Sequence, residues 1–335
     1  MNPRELLEGL VRVPSVSGDE AAAVAWLVEA ATGLGLEAWA DDAGNFHAKT
    51  PAEGEPVWFI GHIDTVPGHI DVRVEGDILH GRGSGDAKGP LACAVAAAAR
   101  CPDVPFRVIG TIEEELTSRG ARALGRIEGS ACIFGEPSGW DGITLGWKGI
   151  VRAKIIHKAP CVHGGHPEPN AIDAFVRDWN ALGLHEGFGF EQLGLRIKSI
   201  RSENDGLHDT VIALTENRVP PGRTTKELID ALRAQWPETE VVEAWEPATS
   251  DPRNELATRF RAAIRARGGE PRMLHKTGTS DWNAILDQMG DMPVVTYGPG
   301  DSQYDHTPHE RIDLRDLDRA VEVFVDVLQG YQKGS

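Results

Sequence analysis

Three short apolar runs constrain the fold of this chain more than any other feature. They are PVWFIG at 56–61, FRVIGTI at 106–112 and ACIFG at 131–135, and they are rich in β-branched and aromatic residues. Runs of this kind are typical of strands buried on both faces of a parallel sheet. The alanine-rich run 89–101 lies between the first two and predicts a helix. We therefore expect an α/β domain with a mostly parallel sheet and helices on both faces.

The pattern changes near residue 150. The runs GIVRAKIIHK at 149–158 and DTVIALTENRV at 209–219 alternate apolar and polar residues, as half-exposed antiparallel strands do. After residue 247 the alternation of strand and helix returns. We expect one domain built from residues 1–150 and 248–335, interrupted by an inserted α+β domain at 151–247.

A helix is predicted near the N-terminus, over residues 17–35. Ser17 and Glu20 have the spacing of a capping box, and Gly33 and Gly35 can end the helix.

The composition argues against two classes of partner. The 335 residues include 34 Lys and Arg against 51 Asp and Glu, a formal net charge of −17. This charge would repel phosphate backbones, so we expect no nucleic acid. No apolar run approaches the roughly 20 residues of a membrane helix, so we expect no membrane association. The four cysteines show no CxxC spacing, and we expect free thiols in a reducing cytoplasm.

Histidines and acids follow the predicted strands. In open parallel sheets the carboxyl ends of the strands meet at one edge, where ligands bind. Five stretches place such side chains at this edge: His62 and Asp64, Asp86, Glu113 to Glu115, Glu136, and His306. Crowded carboxylates repel one another unless a cation lies among them. Imidazole and carboxylate donors suit zinc, manganese or cobalt. The set suffices for two metal ions about 3.5–4 Å apart that share a carboxylate and activate a water.

The motifs that carry these residues are GHIDTVP, GRGSGDAKG, EEELTSRGAR, GEPS and DHTPHE. In order and spacing they resemble the metal-site motifs of the dinuclear-zinc amidohydrolases. That family includes acetylornithine deacetylase, succinyl-diaminopimelate desuccinylase and the glutamate carboxypeptidases. The resemblance covers nearly the whole chain, and it implies a metal-dependent enzyme that hydrolyses linear amides.

The resemblance also implies a role for each residue. The metal ligands would be His62, Asp86, Glu115, Glu136 and His306. Asp86 would bridge two divalent ions, zinc or cobalt, with His62 and Glu136 on one ion and Glu115 and His306 on the other. Asp64 would orient His62, and Glu114 would be the general base. The alternative assignment shifts the roles of base and ligand by one residue along the EEE run.

In the inserted domain, HGGHPEPNAI at 163–172 resembles a stretch that the family uses across a dimer interface. His163, with His166 as its rival, would reach into the neighbouring subunit's site and stabilise the oxyanion. The inserted domain would then serve as lid and dimerisation domain of a homodimer. We assign Lys276, Thr279, Arg218 and Asn204 as candidate substrate-binding residues.

Two further motifs, GWKG at 146–149 and HKTGTSDWN at 275–283, resemble one subgroup of the family. Its members release lysine or ornithine, for lysine or arginine biosynthesis, from the terminal glutamate of LysW, a small acidic amino-group carrier protein. The alternatives are a small-substrate N-acyl amino acid deacylase, of the acetylornithine or acetyl-lysine deacetylase type, and a non-catalytic metal-binding protein. The segment 253–276 contains seven cations and two acids, so it is a candidate docking face for an acidic carrier.

Overall fold

The computed structural model of the protein describes residues 1–332. Its helices are α1 (Pro3–Val11), α2 (Ala21–Gly33), α3 (Lys88–Arg100), α4 (Arg119–Arg122), α5 (Ala171–Ala181), α6 (Thr225–Gln235), α7 (Glu255–Ala266), α8 (Asp281–Ala284) and α9 (Leu314–Gln332), with a 3₁₀ turn at Leu286–Gln288. Its strands are β1 (Glu37–Ala40), β2 (Phe46–Lys49), β3 (Val57–His62), β4 (Arg73–Glu75), β5 (Ile78–His80), β6 (Phe106–Thr111), β7 (Ala131–Gly135), β8 (Gly142–Trp147), β9 (Gly149–Pro160), β10 (Ile197–Asn204), β11 (His208–Val219), β12 (Glu240–Trp245), β13 (Ala248–Thr249), β14 (Arg272–Lys276), β15 (Val294–Thr296) and β16 (Arg311–Asp313).

The chain divides into two compact units. The first contains residues 1–146, 250–274 and 284 onward, and the second contains residues 147–249 and 275–283. This division differs from the predicted limits mainly at 275–283, a segment that we expected in the first domain and that groups with the second unit.

The first unit is built on a sheet in which the three apolar runs are neighbours. Its strand order is β1, β2, β6, β3, β7, β15, β8. Strand β3 pairs in parallel with β6 and β7, and β15 pairs in parallel with β7. Strands β1, β2 and β8 pair in antiparallel fashion at the flanks. The predicted α/β fold with a mostly parallel sheet is therefore confirmed.

Helix α3 lies in the core of the first unit. Every residue from Lys88 to Ala98 is buried, because the helix packs against α1 and α9 as well as against strands β3 and β6. Small side chains, chiefly alanine, allow this close approach from several directions. The buried helix fixes the loop before Lys88, which carries Asp86.

Helix α2 is shorter than predicted. It begins at Ala21, after an N-cap at Glu20 whose side chain makes no capping hydrogen bond. The capping box predicted from Ser17 and Glu20 is therefore wrong. Instead, the Ser17 hydroxyl donates to the Asp64 carboxylate, and the Glu20 carboxylate accepts the main-chain N–H of Glu113.

The second unit is an antiparallel sheet with two helices. The strand order is β10, β11, β9, β12, and α5 and α6 pack on β9. Its core contains Phe175 and Trp236 together with alternate residues of β9 and β11, which explains the alternating sequence pattern. No helix within residues 1–332 is long and apolar enough to cross a membrane.

Candidate metal centre

His62 ends strand β3 and is almost completely buried, with 1% of its surface exposed. Its Nδ1 atom lies 3.0 Å from the main-chain oxygen of Asp64. Because a carbonyl oxygen can only accept, Nδ1 carries the proton in this hydrogen bond. The other ring nitrogen, Nε2, lies 3.2 Å from Oδ1 of Asp86. The hydrogen bond at Nδ1 thus holds the imidazole in place, and Nε2 faces the Asp86 carboxylate. Histidines that bind a metal are held in the same way.

Asp86 lies in the loop before α3, between two histidines. Its Oδ1 faces His62, and its Oδ2 lies 3.2 Å from Nε2 of His306. The two oxygens of one carboxylate therefore face two different imidazoles. This is the arrangement that a bridging carboxylate needs.

The loop of Asp86 is held by a second buried acid. Oε1 of Glu310 accepts hydrogen bonds from the main-chain N–H groups of Gly85 and Asp86, both at 3.3 Å. Oε2 of Glu310 pairs with the Arg82 guanidinium at 2.7 Å. Glu310 is 1% exposed. Its ion pair with Arg82 holds the carboxylate in place, and the carboxylate in turn fixes the main chain at Asp86.

The contacts of the three consecutive glutamates distinguish their roles. Glu113 pairs with Arg119 at 2.8 Å and accepts a hydrogen bond from the Thr117 hydroxyl at 2.7 Å. Oε1 of Glu115 lies 2.6 Å from Nε2 of His306. Glu115 therefore lies among the candidate ligands, whereas Glu113 belongs to its own loop. These contacts favour the assignment in which Glu114 is the base.

The nearby acids raise the pKa of both histidines. Hydrogen bonds to Asp86 and Glu115 raise the pKa of His306 to about 10. Burial alone would lower the pKa of His62. Its hydrogen bonds to Asp64 and Asp86 and the charges of Glu114 and Glu136 outweigh burial and raise that pKa well above the ordinary value. Glu136, directly after β7 and 8% exposed, thus acts on the same site.

These residues fit divalent cations. One ligand atom each from His62, Asp86 and Glu115 lies within 4.8 Å of the other two, and His306 adjoins both acids. Two imidazoles with several carboxylates form a donor set that divalent metals of borderline softness prefer. The cluster has more acids than histidines, so two protonated imidazoles would only partly offset the repulsion among its carboxylates. Bound divalent cations would offset the remainder.

Backbone strain is concentrated around this cluster. Among the described residues, those other than glycine with positive φ are Glu113 at 56°, Ser118 at 49° and His306 at 61°. Such conformations are costly, and they are found where function requires an unusual chain direction.

The comparisons with known proteins agree with this geometry. The model of the family described as Peptidase family M20/M25/M40 matches residues 58–330. The chain belongs to this family. Membership confirms the family predicted from the motifs, and it makes the chain a hydrolase that acts on amide bonds.

Individual relatives of this M20 family chain cover it almost completely. A LysW-lysine hydrolase from Deinococcus radiodurans is 38% identical over 347 residues, with 97% of this chain and 96% of that protein covered. The aminopeptidase PepT of Bacillus cereus superposes with a TM-score of 0.82 at 20% identity, with 99% of each chain covered. The YXEP protein of Bacillus subtilis, described as a dinuclear metal binding peptidase from the M20 family, has a TM-score of 0.75 at 13% identity, with 99% of this chain and 98% of that chain covered. The last two likenesses show the fold.

In the second unit of this M20 family chain, two of the proposed substrate-binding residues are in contact. The Arg218 guanidinium donates to the Thr279 hydroxyl at 3.1 Å and to Oε1 of Glu216 at 3.1 Å. Arg218 is thereby held from two sides. The ammonium of Lys276 lies 6.0 Å from the centre of the Trp147 ring.

The structure gives Asn204 and His163 different surroundings. The Asn204 amide donates to Oδ1 of Asp209 at 2.7 Å and to the Cys161 sulfur at 3.3 Å, and its oxygen accepts from the Gly206 N–H at 2.8 Å. These contacts indicate that Asn204 stabilises a hairpin turn. His163 is exposed, and its Nδ1 accepts the Gly165 N–H at 3.1 Å.

The cationic segment 253–276 is largely balanced by acids. Four of its seven cations pair with carboxylates, namely Arg253 with Asp251, Arg259 with Glu255, Arg267 with Asp326 and Arg272 with Asp141. Three of these four acids, namely Asp251, Asp326 and Asp141, lie outside the segment in sequence, so a local count along the chain overestimates its charge. The segment is therefore less basic than its sequence indicates.

Sequence reasoning missed four residues that support the site. They are Ser17, Glu20, Arg82 and Glu310. Glu310 could have been found, because it belongs to the DHTPHE motif that carries His306. Ser17 and Glu20 have a spacing that also fits a helix cap, and this explanation concealed their role.

Proposed function

We propose that this protein hydrolyses the amide that links lysine or ornithine to the terminal glutamate of the carrier protein LysW. The product would be the free amino acid in lysine or arginine biosynthesis. The observation that carries the proposal is the Asp86 carboxylate, which lies between His62 and His306 with Glu115 beside them. The substrate class is supported by the LysW-lysine hydrolase of Deinococcus radiodurans, which matches nearly the whole chain.

The residues present would hold two divalent ions, and zinc or cobalt suits their donors. We infer that His62 and Glu136 bind one ion, that Glu115 and His306 bind the other, and that Asp86 binds both. When bound, such a pair lowers the pKa of a water molecule and polarises the scissile carbonyl. Asp64 and Glu310 would hold the ligand loops through main-chain N–H groups, so that the ligand atoms keep their separation.

Glu114 would perform the proton transfers. Its main-chain N–H donates to Oδ1 of Asp64 at 3.0 Å, which fixes the residue next to the ligand Glu115. The Glu114 carboxylate would accept a proton from the attacking water and give it to the leaving amine. A protein that only binds metal has no need of this second acid.

Arg218 would bind a carboxylate of the substrate. The free lysine or ornithine that is released carries an α-carboxylate, and a guanidinium binds such a group through two parallel hydrogen bonds. The Thr279 hydroxyl and the Glu216 carboxylate would orient the guanidinium. Thr279 would therefore act on the substrate through Arg218.

We also propose a homodimer formed through the second unit. Strand β10 is at the edge of its sheet, and its residues from Lys198 to Asn204 are exposed. Helix α5 exposes Ile172 and Val176, each 40% accessible, and these residues are one helical turn apart. An exposed edge strand and exposed apolar side chains are each features of surfaces that pair with a second copy. The exposed His163 would then serve the partner's site as an oxyanion donor.

The location that we propose is the cytoplasm. The cysteines are free, and Cys93, Cys101 and Cys132 are buried. Buried thiols without disulfides suit a reducing compartment.

The decisive experiment compares three substrates with the zinc-loaded protein. We expect release of free lysine from LysW-lysine, measured by mass spectrometry, with a kcat/KM far above that for acetyl-lysine or acetylornithine. The same assay after EDTA treatment should show loss of activity, and added zinc should restore it. Preference for an acetylated amino acid would establish the small-substrate deacylase instead. Hydrolysis of none of the three substrates would refute the proposed substrate class.

A further inference from the structure

Three consecutive main-chain N–H groups at the site all donate to buried carboxylates. The N–H of Glu113 donates to Oε1 of Glu20 at 3.1 Å. The N–H groups of Glu114 and Glu115 donate to Oδ1 and Oδ2 of Asp64 at 3.0 and 3.1 Å. Glu20 is 5% exposed and Asp64 is fully buried. Hydrogen bonds to ionised acceptors are the stronger kind, so two acids outside the run fix its whole backbone.

The turn at Glu113 needs such support. Its φ of 56° lies in the left-handed region, which costs a residue with a side chain on the order of 1 kcal/mol or more. The following residues are the proposed base and a proposed metal ligand. A relaxed turn at Glu113 would change the direction of both side chains.

Glu20 is itself held rigidly and does not cap its own helix. Its Oε1 accepts the Gly18 N–H at 2.8 Å as well as that of Glu113. Two donors therefore converge on a single oxygen. The carboxylate links the segment before α2 to the turn that begins the glutamate run.

Ser17 completes this support. Its hydroxyl donates to Oδ2 of Asp64 at 2.6 Å, and its N–H donates to the main-chain oxygen of Thr65 at 3.1 Å. The Thr65 N–H donates in turn to the Ser15 oxygen at 2.9 Å. The segment 15–17 is thus paired with the chain that leaves β3, directly after His62.

We propose that Glu20, together with Ser17, is a positioning residue for catalysis. Glu20 fixes the turn at Glu113, and Ser17 fixes the Asp64 carboxylate, so that Glu114 and Glu115 are placed together. The assignment extends the functional residues to a segment that precedes residues 58–330, the part that matches the family model. It rests on the proposed function in that Glu114 is taken as the base.

The test uses Glu20→Ala, Glu20→Gln and Ser17→Ala in the zinc-loaded protein, with Asp19→Ala as the matched control because Asp19 is exposed. For Glu20→Ala we expect kcat on LysW-lysine to fall about tenfold, the effect of one lost hydrogen bond to a charged group. KM measured with zinc in excess should stay unchanged, whereas zinc affinity should fall, because the relaxed turn would also redirect the ligand Glu115. Hydrogen exchange in a peptide that contains residues 113–115 should become faster by a similar factor.

Glu20→Gln should recover part of the rate, because the glutamine oxygen can still accept both N–H groups although its charge is lost. Ser17→Ala should show a smaller loss in kcat, and Asp19→Ala none. The proposal is overturned if Glu20→Ala leaves kcat and the exchange rate unchanged, or if Glu20→Gln is as slow as Glu20→Ala. Should Glu20→Ala fail to fold, an unchanged kcat in Ser17→Ala would overturn it. A wild-type protein inactive on LysW-lysine would refute the proposed function, while the exchange measurement would still decide the role of Glu20.

Discussion

At the scale of residues, identical side chains acquire different chemistry from their surroundings. Glu113, Glu114 and Glu115 are consecutive, yet Glu113 pairs with Arg119 and Glu115 contacts His306. The turn at Glu113 separates them, because a left-handed residue redirects the chain that follows. One run of three acids can therefore supply a loop stabiliser, a base and a ligand.

Replacing each of these glutamates by glutamine should separate the three roles. We expect Glu114→Gln to lower kcat by about 10²–10⁴-fold, the usual contribution of a general base, while zinc content is retained. Glu115→Gln should lower zinc affinity, because it replaces a negatively charged metal ligand beside His306 by a neutral amide. Glu113→Gln should change neither by much, since its partners are Arg119 and Thr117.

The measurements are kcat on LysW-lysine and bound zinc by elemental analysis. Loss of zinc in Glu114→Gln together with retention in Glu115→Gln would shift the assignment by one residue. The three variants make the same chemical change, glutamate to glutamine, at adjacent positions. Each is therefore the control for the other two.

The candidate ligands could be predicted from sequence because the fold brings them together in a simple way. His62 and Glu136 lie at the ends of β3 and β7, which are neighbours in the sheet. Ser17 and Glu20 could not be predicted in this way. Their partners, Asp64 and Glu113, are 47 and 93 residues away in sequence, and only the folded chain shows that they meet.

At the scale of elements, the last helix shows how the site is supported from the core. Helix α9 packs on α3 and α7. Its Phe324 is fully buried, and the ring centre lies 5.8 Å from those of Phe59 and Phe260. Phe59 belongs to β3, the strand that ends in His62. Packing against α9 therefore stabilises the strand that presents a ligand.

Phe324→Ala should lower the free energy of unfolding by about 3–5 kcal/mol, because it leaves a cavity among aromatic rings. Gln329→Ala on the same helix is the control. Gln329 is exposed, so its replacement should change stability by no more than about 0.5 kcal/mol. Denaturant unfolding followed by far-UV circular dichroism measures both, and equal effects of the two variants would contradict this account of the core.

Element boundaries were predictable where one local signal dominates. The apolar runs became β3, β6 and β7 because burial on both faces requires continuous apolar sequence. The predicted start of α2 is several residues too early, because Ser17 contacts Asp64 and Glu20 contacts the main chain of Glu113, and neither side chain caps the helix. The grouping of 275–283 with the second unit had no local signal, because it depends on contacts such as that of Thr279 with Arg218.

At the scale of the whole molecule, the proposed dimer makes a prediction that a monomer does not. If His163 acts in the neighbouring subunit's site, a subunit lacking His163 can still be active when its partner supplies that residue. A subunit with Glu114→Gln has an inactive site of its own but an intact His163. Each variant alone should be nearly inactive, and a mixed dimer should contain one complete site.

Unfolding and refolding an equal mixture of His163→Ala and Glu114→Gln should therefore restore activity on LysW-lysine. With random pairing, half of the dimers are mixed and each has one working site of two, so we expect about a quarter of the wild-type rate. Each variant refolded alone controls for recovery during the procedure. If His163 served its own subunit, no mixed dimer would contain a complete site, and the mixture would stay as inactive as its components. Recovery thus distinguishes a shared site from a self-contained one, because the two arrangements differ only in which chain donates the imidazole.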